Sequence, residues 1–275
     1  MTADVGSSAR GTRRPALGPP GGGGFAGAVG AEWLKLWTVR STWACLLSAI
    51  VLQIGYAVIV GVASRSPERG SASDVSSLTA PETAVGGILY MAQFAIVALA
   101  ALSITSEYTT GAIGSSLLCV PVRGRLLAAK SLVVSLTFFA AGVPIALLGM
   151  VAVAMTMGSS EARATGGDVV VFALAIGAYL ALVAVLVIGA GAVMRSLAGT
   201  LTAVAVIMLV VPVGLMLTKA DALVAAANGL PGPAGLHLMY GGTGPYGRGA
   251  ACLVLAGWAA LVQAAGYVVL RIRDA

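Results

Sequence analysis

Few residues in this chain could perform chemistry on a substrate, and their spacing does not favour it. Cys45, Cys119 and Cys252 lie far apart and, with the single His237, form no metal-ligand pattern that would bring thiolates and imidazole to one ion. Glu107 with Arg123 and Arg125 is not an acid/base set of recognisable spacing, so a membrane enzyme of lipid metabolism would lack its constellation. Gly21 to Gly30 is glycine-rich, yet Ala31-Glu32 follows it, without the lysine and hydroxyl residue of a phosphate loop. The expectation is a chain with no metal, no catalytic residue and no ATP site of its own.

Two stretches suit a mechanical role better. The first runs from Ser106 to Lys130, between two long apolar runs. Its uncharged part, Tyr108 to Val122, is shorter than the roughly 20 residues a spanning helix needs. Gly111 and Gly114 interrupt it and Pro121 closes it. It reads as a short helix on the membrane surface, with Ile113 and Leu117 one turn apart on one face and Ser115 and Ser116 pointing elsewhere. Arg123, Arg125 and Lys130 would hold its far end in water or lipid headgroups. A plain loop with charges placed by the positive-inside rule is the other reading of the same residues. The second stretch is Ala31 to Arg40. In a helix, Trp33, Leu36, Trp37 and Arg40 fall on adjoining turns, flanked by Glu32 and Lys35. Such a helix lies in the interface, tryptophan at headgroup depth and Lys35 and Arg40 reaching for phosphates. An extension of the first span into water is the alternative.

The elements that must position these stretches follow from composition. Of 275 residues, 59% are hydrophobic and 9% charged, against roughly 25% charged in soluble domains. Charge is clustered, leaving six uncharged runs long enough to span a membrane, at about 42–63, 84–106, 131–157, 169–194, 197–218 and 250–270. The expected fold is an all-α integral membrane protein of six transmembrane helices with an N-terminal interfacial helix, over residues 27–275. Residues 1–26, rich in Gly, Pro, Ser and Arg, read as a disordered cytoplasmic tail. Arg13-Arg14 suggests an export signal, but the first apolar span begins too far downstream and is full length, so it reads as a retained helix. Six spans put both termini on one side. With that side cytoplasmic, basic residues divide 11 inside against 5 outside, which favours cytoplasmic termini in a plasma membrane. The net charge of +6 thus belongs to lipid and topology, not to nucleic acid.

Within the spans, Pro144 should kink the third, and Gly177, Gly189, Gly191 and Gly199 should let the fourth and fifth pack closely on each other. Between Lys219 and Arg248, glycines and prolines break any continuous helix, so this region is either an outer loop or a re-entrant element.

The order Glu107-Tyr108, Gly111, Ile113, Leu117-Leu118, Pro121, Arg123 and Lys130 resembles the loop after the second helix of ABC-2 type permeases, the membrane subunits of ATP-binding cassette exporters. Glu32, Lys35-Leu36, Thr38 and Arg40-Ser41 likewise resemble the connecting helix before their first span. Thr109 and Ala112 depart from the commonest form, where a basic residue and a threonine are frequent. The resemblance implies an ABC-2 (type V exporter-like) fold, a homodimer or paired permease, and a separate ATPase subunit that binds ATP. It implies ATPase coupling through Glu107, Tyr108, Gly111, Ile113, Leu117 and Arg123, an interfacial helix carrying Trp33, Lys35, Trp37 and Arg40, and a substrate path near Gln93, Phe94 and Thr202. The competing function is an ion-gradient-driven secondary transporter. It needs an ionisable residue or ion site within the membrane, and none of the six runs supplies a charge. Sparse lysine with abundant Ala, Gly and Arg points to a bacterial source.

Overall fold

The structure is a computed structural model that describes residues 24–64, 79–112, 122–157, 166–241 and 244–272. Its elements are helices: α1 (Gly24–Thr38), α2 (Arg40–Ala63), α3 (Ala80–Thr109), α4 (Arg123–Met157), α5 (Gly166–Met194), α6 (Leu197–Leu217), α7 (Asp221–Asn228), α8 (Pro231–Tyr240) and α9 (Arg248–Ile272). Among the described residues, α2 to α6 and α9 are the six helices long and apolar enough to cross a membrane. The chain has the build of a multi-pass membrane protein.

Helix α5 is the axis of the bundle. It is apolar all round and its Tyr179, Leu180, Leu186 and Ile188 are fully buried, as expected of a helix with protein rather than lipid on most sides. It packs against α4, α9, α3, α6 and α8. The contact with α9 is a backbone-to-backbone approach, because a Cβ on Gly189 would lie 2.8 Å from the main chain of Val262 and Gln263. Gly177 makes room for the Val143 side chain and the Phe139 carbonyl of α4, and Gly191 receives Ile104 of α3. The small residues of α5 therefore seat α3, α4 and α9 as well as α6, whose Thr200 also lies against Gly191.

Helix α2 lies on the outside, with Leu47, Val51, Ile59 and Val62 exposed. Its buried Gln53 reaches inward between Gly87 of α3 and Gly149 of α4 and donates to the Ala84 carbonyl at 3.0 Å. Helix α3 starts in a capping box, Thr79 with Glu82, and contains one π-helical turn, Ile88–Ala92. A second π turn, Val206–Val210, lies in α6, where the Met208 carbonyl touches Gly232 of α8. Between Lys219 and Arg248 the described residues include two short helices, α7 and α8. Pro231 and Pro233 occupy the first turn of α8, where a missing N–H costs nothing, so the glycine and proline content that forbids a span still permits this element. Buried Ala234, Leu238 and Met239 seat α8 against α5 and α9.

Helix α4 begins at Arg123 and not near 131, with 35 residues in one helix that continues through Pro144. This places Arg123, Arg125 and Lys130 on a helix instead of in a solvated loop.

Candidate functional site

The side chains with the strongest chemistry meet at one end of the bundle, where α1, the end of α3 and the start of α4 converge. Helix α1 buries Ala28, Glu32 and Leu36, a stripe at i, i+4, i+8 facing α4, and leaves Phe25, Trp33 and Leu34 exposed. A glutamate thus stands in the middle of the contact face. It is tolerated because Lys130 of α4 reaches it there. Lys130 falls on the same helix face as Leu126, Leu127, Val133 and Val134, all buried, and is itself only 4% exposed.

Four charges alternate in sign. The Lys35 ammonium donates to Glu32 Oε1 at 2.8 Å and to Glu107 Oε1 at 3.0 Å. The Lys130 ammonium donates to Glu107 Oε1 at 2.9 Å, to the Ser103 carbonyl at 3.1 Å and to Glu32 Oε2. Burial alone would raise the Glu32 carboxyl, but the ammonium groups of Lys130 and Lys35 outweigh it and hold Glu32 below the usual carboxylate range. Burial would lower Lys35, yet its bond to Glu32 and the charge of Glu107 raise it above the ordinary lysine value. One atom is left over. Glu107 Oε2 is buried with no hydrogen-bond partner among the described residues.

Neighbouring contacts extend this end. The Tyr108 ring lies under the Arg195 guanidinium, 5.3 Å from centroid to Cζ. Arg195 makes the turn between α5 and α6 with φ 53°, and Ser196 caps α6 by accepting from the Gly199 N–H. Arg123 donates to the Leu270 and Arg271 carbonyls, the place at a helix C-terminus where a cation is favoured. Gly111 closes α3 at φ 70°, a backbone conformation that glycine adopts without strain. Trp33, Trp37 and Trp43 form a chain of rings, with centroids 5.6 and 5.2 Å apart, across the α1 to α2 corner at Val39. Arg40 is exposed at the start of α2. A cleft of about 370 Å³ opens beside the charge cluster, lined by all four charged residues and by apolar side chains that include Leu36, Leu99 and Val134.

Of the residues expected to couple or to lie in the interface, Glu107 and Lys35 are joined directly, Tyr108 and Arg123 line a small recess with Glu107, Gly111 follows the end of α3, and Trp33 and Trp37 lie on α1 with Lys35. Ile113 and Leu117 lie outside the described residues, as does the surface helix expected there. Glu32 and Lys130, which sequence reasoning placed at the edge of an apolar stripe and in headgroups, are buried at the centre. Their signal was present: each is a charge at a position where helical period calls for an apolar residue. Gln93 accepts from the Tyr179 hydroxyl at 2.7 Å inside the bundle, whereas Phe94 and Thr202 are exposed on its outside, so the three do not share one cavity among the described residues. Among those residues, no three His, Cys, Asp or Glu side chains gather as a metal site would require.

No protein-family model matches this sequence, and no curated protein is similar enough to it to stand as a relative.

Proposed function

We propose that this chain is the membrane-spanning subunit of an ABC-2 type exporter, forming part of a substrate path and driven by a separate ATPase subunit on the side where α1 lies. The observation that supports this most is the charge cluster. It ties α1 to the end of α3 and the start of α4, the two helices that flank residues 110–122, so that a push on that connection is delivered to three helices at once. A rigid junction at this place serves a subunit that receives force. It has no evident use in a carrier that runs on an ion bound mid-membrane.

The pairing of two such units, with the apolar outer faces of α2 and α6 left for lipid or for the second unit, belongs to the same proposal. The test is reconstitution. With an ATPase partner encoded beside this chain, vesicles should show ATP hydrolysis stimulated by the transported molecule, and transport should stop when the ATPase is inactivated. Nucleotide-independent movement of a solute by this chain alone, following a proton or sodium gradient, would overturn the proposal.

A further inference from the structure

We propose that Tyr56, Tyr90, Tyr240 and Glu82, at the end of the bundle away from α1, form a binding site for a free organic cation of the alkylated-ammonium class. Helix α3 sets the placement. Glu82, Gly86 and Tyr90 follow one another at successive turns of that helix. Tyr56 of α2 lies against the middle of the three: a Cβ on Gly86 would stand 2.6 Å from its hydroxyl oxygen, and its ring centroid is 6.2 Å from that of Tyr90, with the planes 30° apart. Tyr240, the last residue of α8, joins them where α8 touches the start of α3. Burial, and then the nearby Tyr90 and Tyr56 phenols and the Glu82 carboxylate, push its own phenol up to about 12. Three helices thus bring three aromatic rings and one carboxylate within electrostatic reach of one another.

The polar atoms of this group are reachable and unclaimed. None of the three hydroxyls has a hydrogen-bond partner among the described residues, and none is sealed from solvent. Glu82 spends Oε2 on the Thr79 N–H and hydroxyl and leaves Oε1 over. No lysine or arginine among the described residues pairs with Glu82, so its charge is not neutralised from within the chain. Tyr90 is 59% exposed, which leaves much of its ring open to a ligand. Ring faces attract a cation through their negative quadrupole and ask no N–H of it, and a carboxylate beside them selects positive charge over a neutral group of the same shape. Phe94, exposed on the next turn of α3, extends the aromatic surface for the ligand's apolar substituents. Tyrosines that only anchor a protein in the interface have no use for an unpaired carboxylate beside them. None of this depends on an ATPase partner, and its failure would leave the proposed exporter role untouched.

The test uses the full chain in an uncharged maltoside detergent, with benzyltrimethylammonium, benzyl alcohol and benzoate as probes, each followed by equilibrium dialysis. The cation should bind roughly ten-fold more tightly than either other probe, the discrimination that cation–π contacts provide. Glu82→Gln removes the charge while glutamine still completes the capping box with Thr79, so the fold is kept and affinity for the cation should fall about ten-fold. Tyr90→Ala, at an exposed position, should weaken it as much, whereas Tyr90→Phe, which keeps the ring, should retain most of it. Tyr267→Ala, beside Gly124 at the opposite end of the bundle, should leave binding unchanged. Equal affinity for the three probes, or cation binding that survives both Glu82→Gln and Tyr90→Ala, would overturn the proposal. Complete displacement of the cation by an equal concentration of phosphatidylcholine would overturn a free cation as the ligand in favour of a lipid headgroup.

Discussion

Lys130 has three N–H donors and finds three acceptors, on Glu32, Glu107 and the Ser103 carbonyl, which is the condition for an ammonium to stay charged at 4% exposure. Lys130→Met would leave two buried carboxylates with Lys35 alone between them. The expected loss is about 3–5 kcal/mol, measured as a drop in unfolding midpoint in detergent. Adding Glu107→Gln to Lys130→Met should recover part of that loss, because one stranded charge goes with it; strictly additive losses would mean the pair is not coupled. Acid and alkali act on the same cluster from opposite sides. Glu32 titrates lower in the folded chain than its ordinary value of 4.5, so its contribution is complete above that value and is lost as pH falls through the depressed one. Lys35 titrates above its ordinary 10.5, so its contribution is complete below that value and is lost as pH rises through the raised one. A pH series of melting temperatures should therefore show a plateau from about 5 to about 10, with a fall on either side.

At the level of elements, glycine contacts decide which helices touch. A Cβ at Gly189 would press on the backbone of Val262 and Gln263, which cannot rotate away, so Gly189→Ala should destabilise the α5 to α9 contact by about 1–3 kcal/mol and Gly189→Val by more. Denaturant unfolding of the two variants checks the order. Gly111 is different, since nothing lies within 4 Å of the position of its Cβ and only its φ of +70° is demanding. Gly111→Ala should cost about 1–2 kcal/mol locally, leave membrane insertion unchanged and reduce transport per ATP hydrolysed. Equal coupling in that variant would remove Gly111 from the relay. The six apolar spans were legible in the sequence because a long uncharged run has few alternatives. The partners of α5 beyond α6 were not, because a glycine shows that something comes close without showing what. Nor was the start of α4 at Arg123, since charges that satisfy one another on a helix read, one at a time, as a solvated loop. Glu107 and Lys35 stood out singly, and only the fold joined them to each other and to Glu32 and Lys130.

For the molecule as a whole, the basic side chains sort by end. Lys35, Arg123, Lys130, Arg195 and Arg271 meet through the contacts of α1, α3, α4, α6 and α9, while Arg248 donates to Tyr240 at the opposite end of α9. In a chain cleared of its native cysteines, Gly27→Cys should react with an impermeant thiol reagent only from the cytoplasm and Gly247→Cys only from outside, as the positive-inside rule requires. The reverse pattern would place the proposed ATPase contact on the wrong side. Helix α4 gives this arrangement its reach. Its 35 residues make a rod about 50 Å long, well beyond the roughly 30 Å of a hydrocarbon core. One tip is anchored among lysines and glutamates, and Pro144 deprives the shaft of a rung far from that anchor. Swinging such an oar by some 5° carries the distant blade about 4 Å, so a nudge too small to disturb the ion pairs at the handle can still open or close a gap between helices at the opposite face.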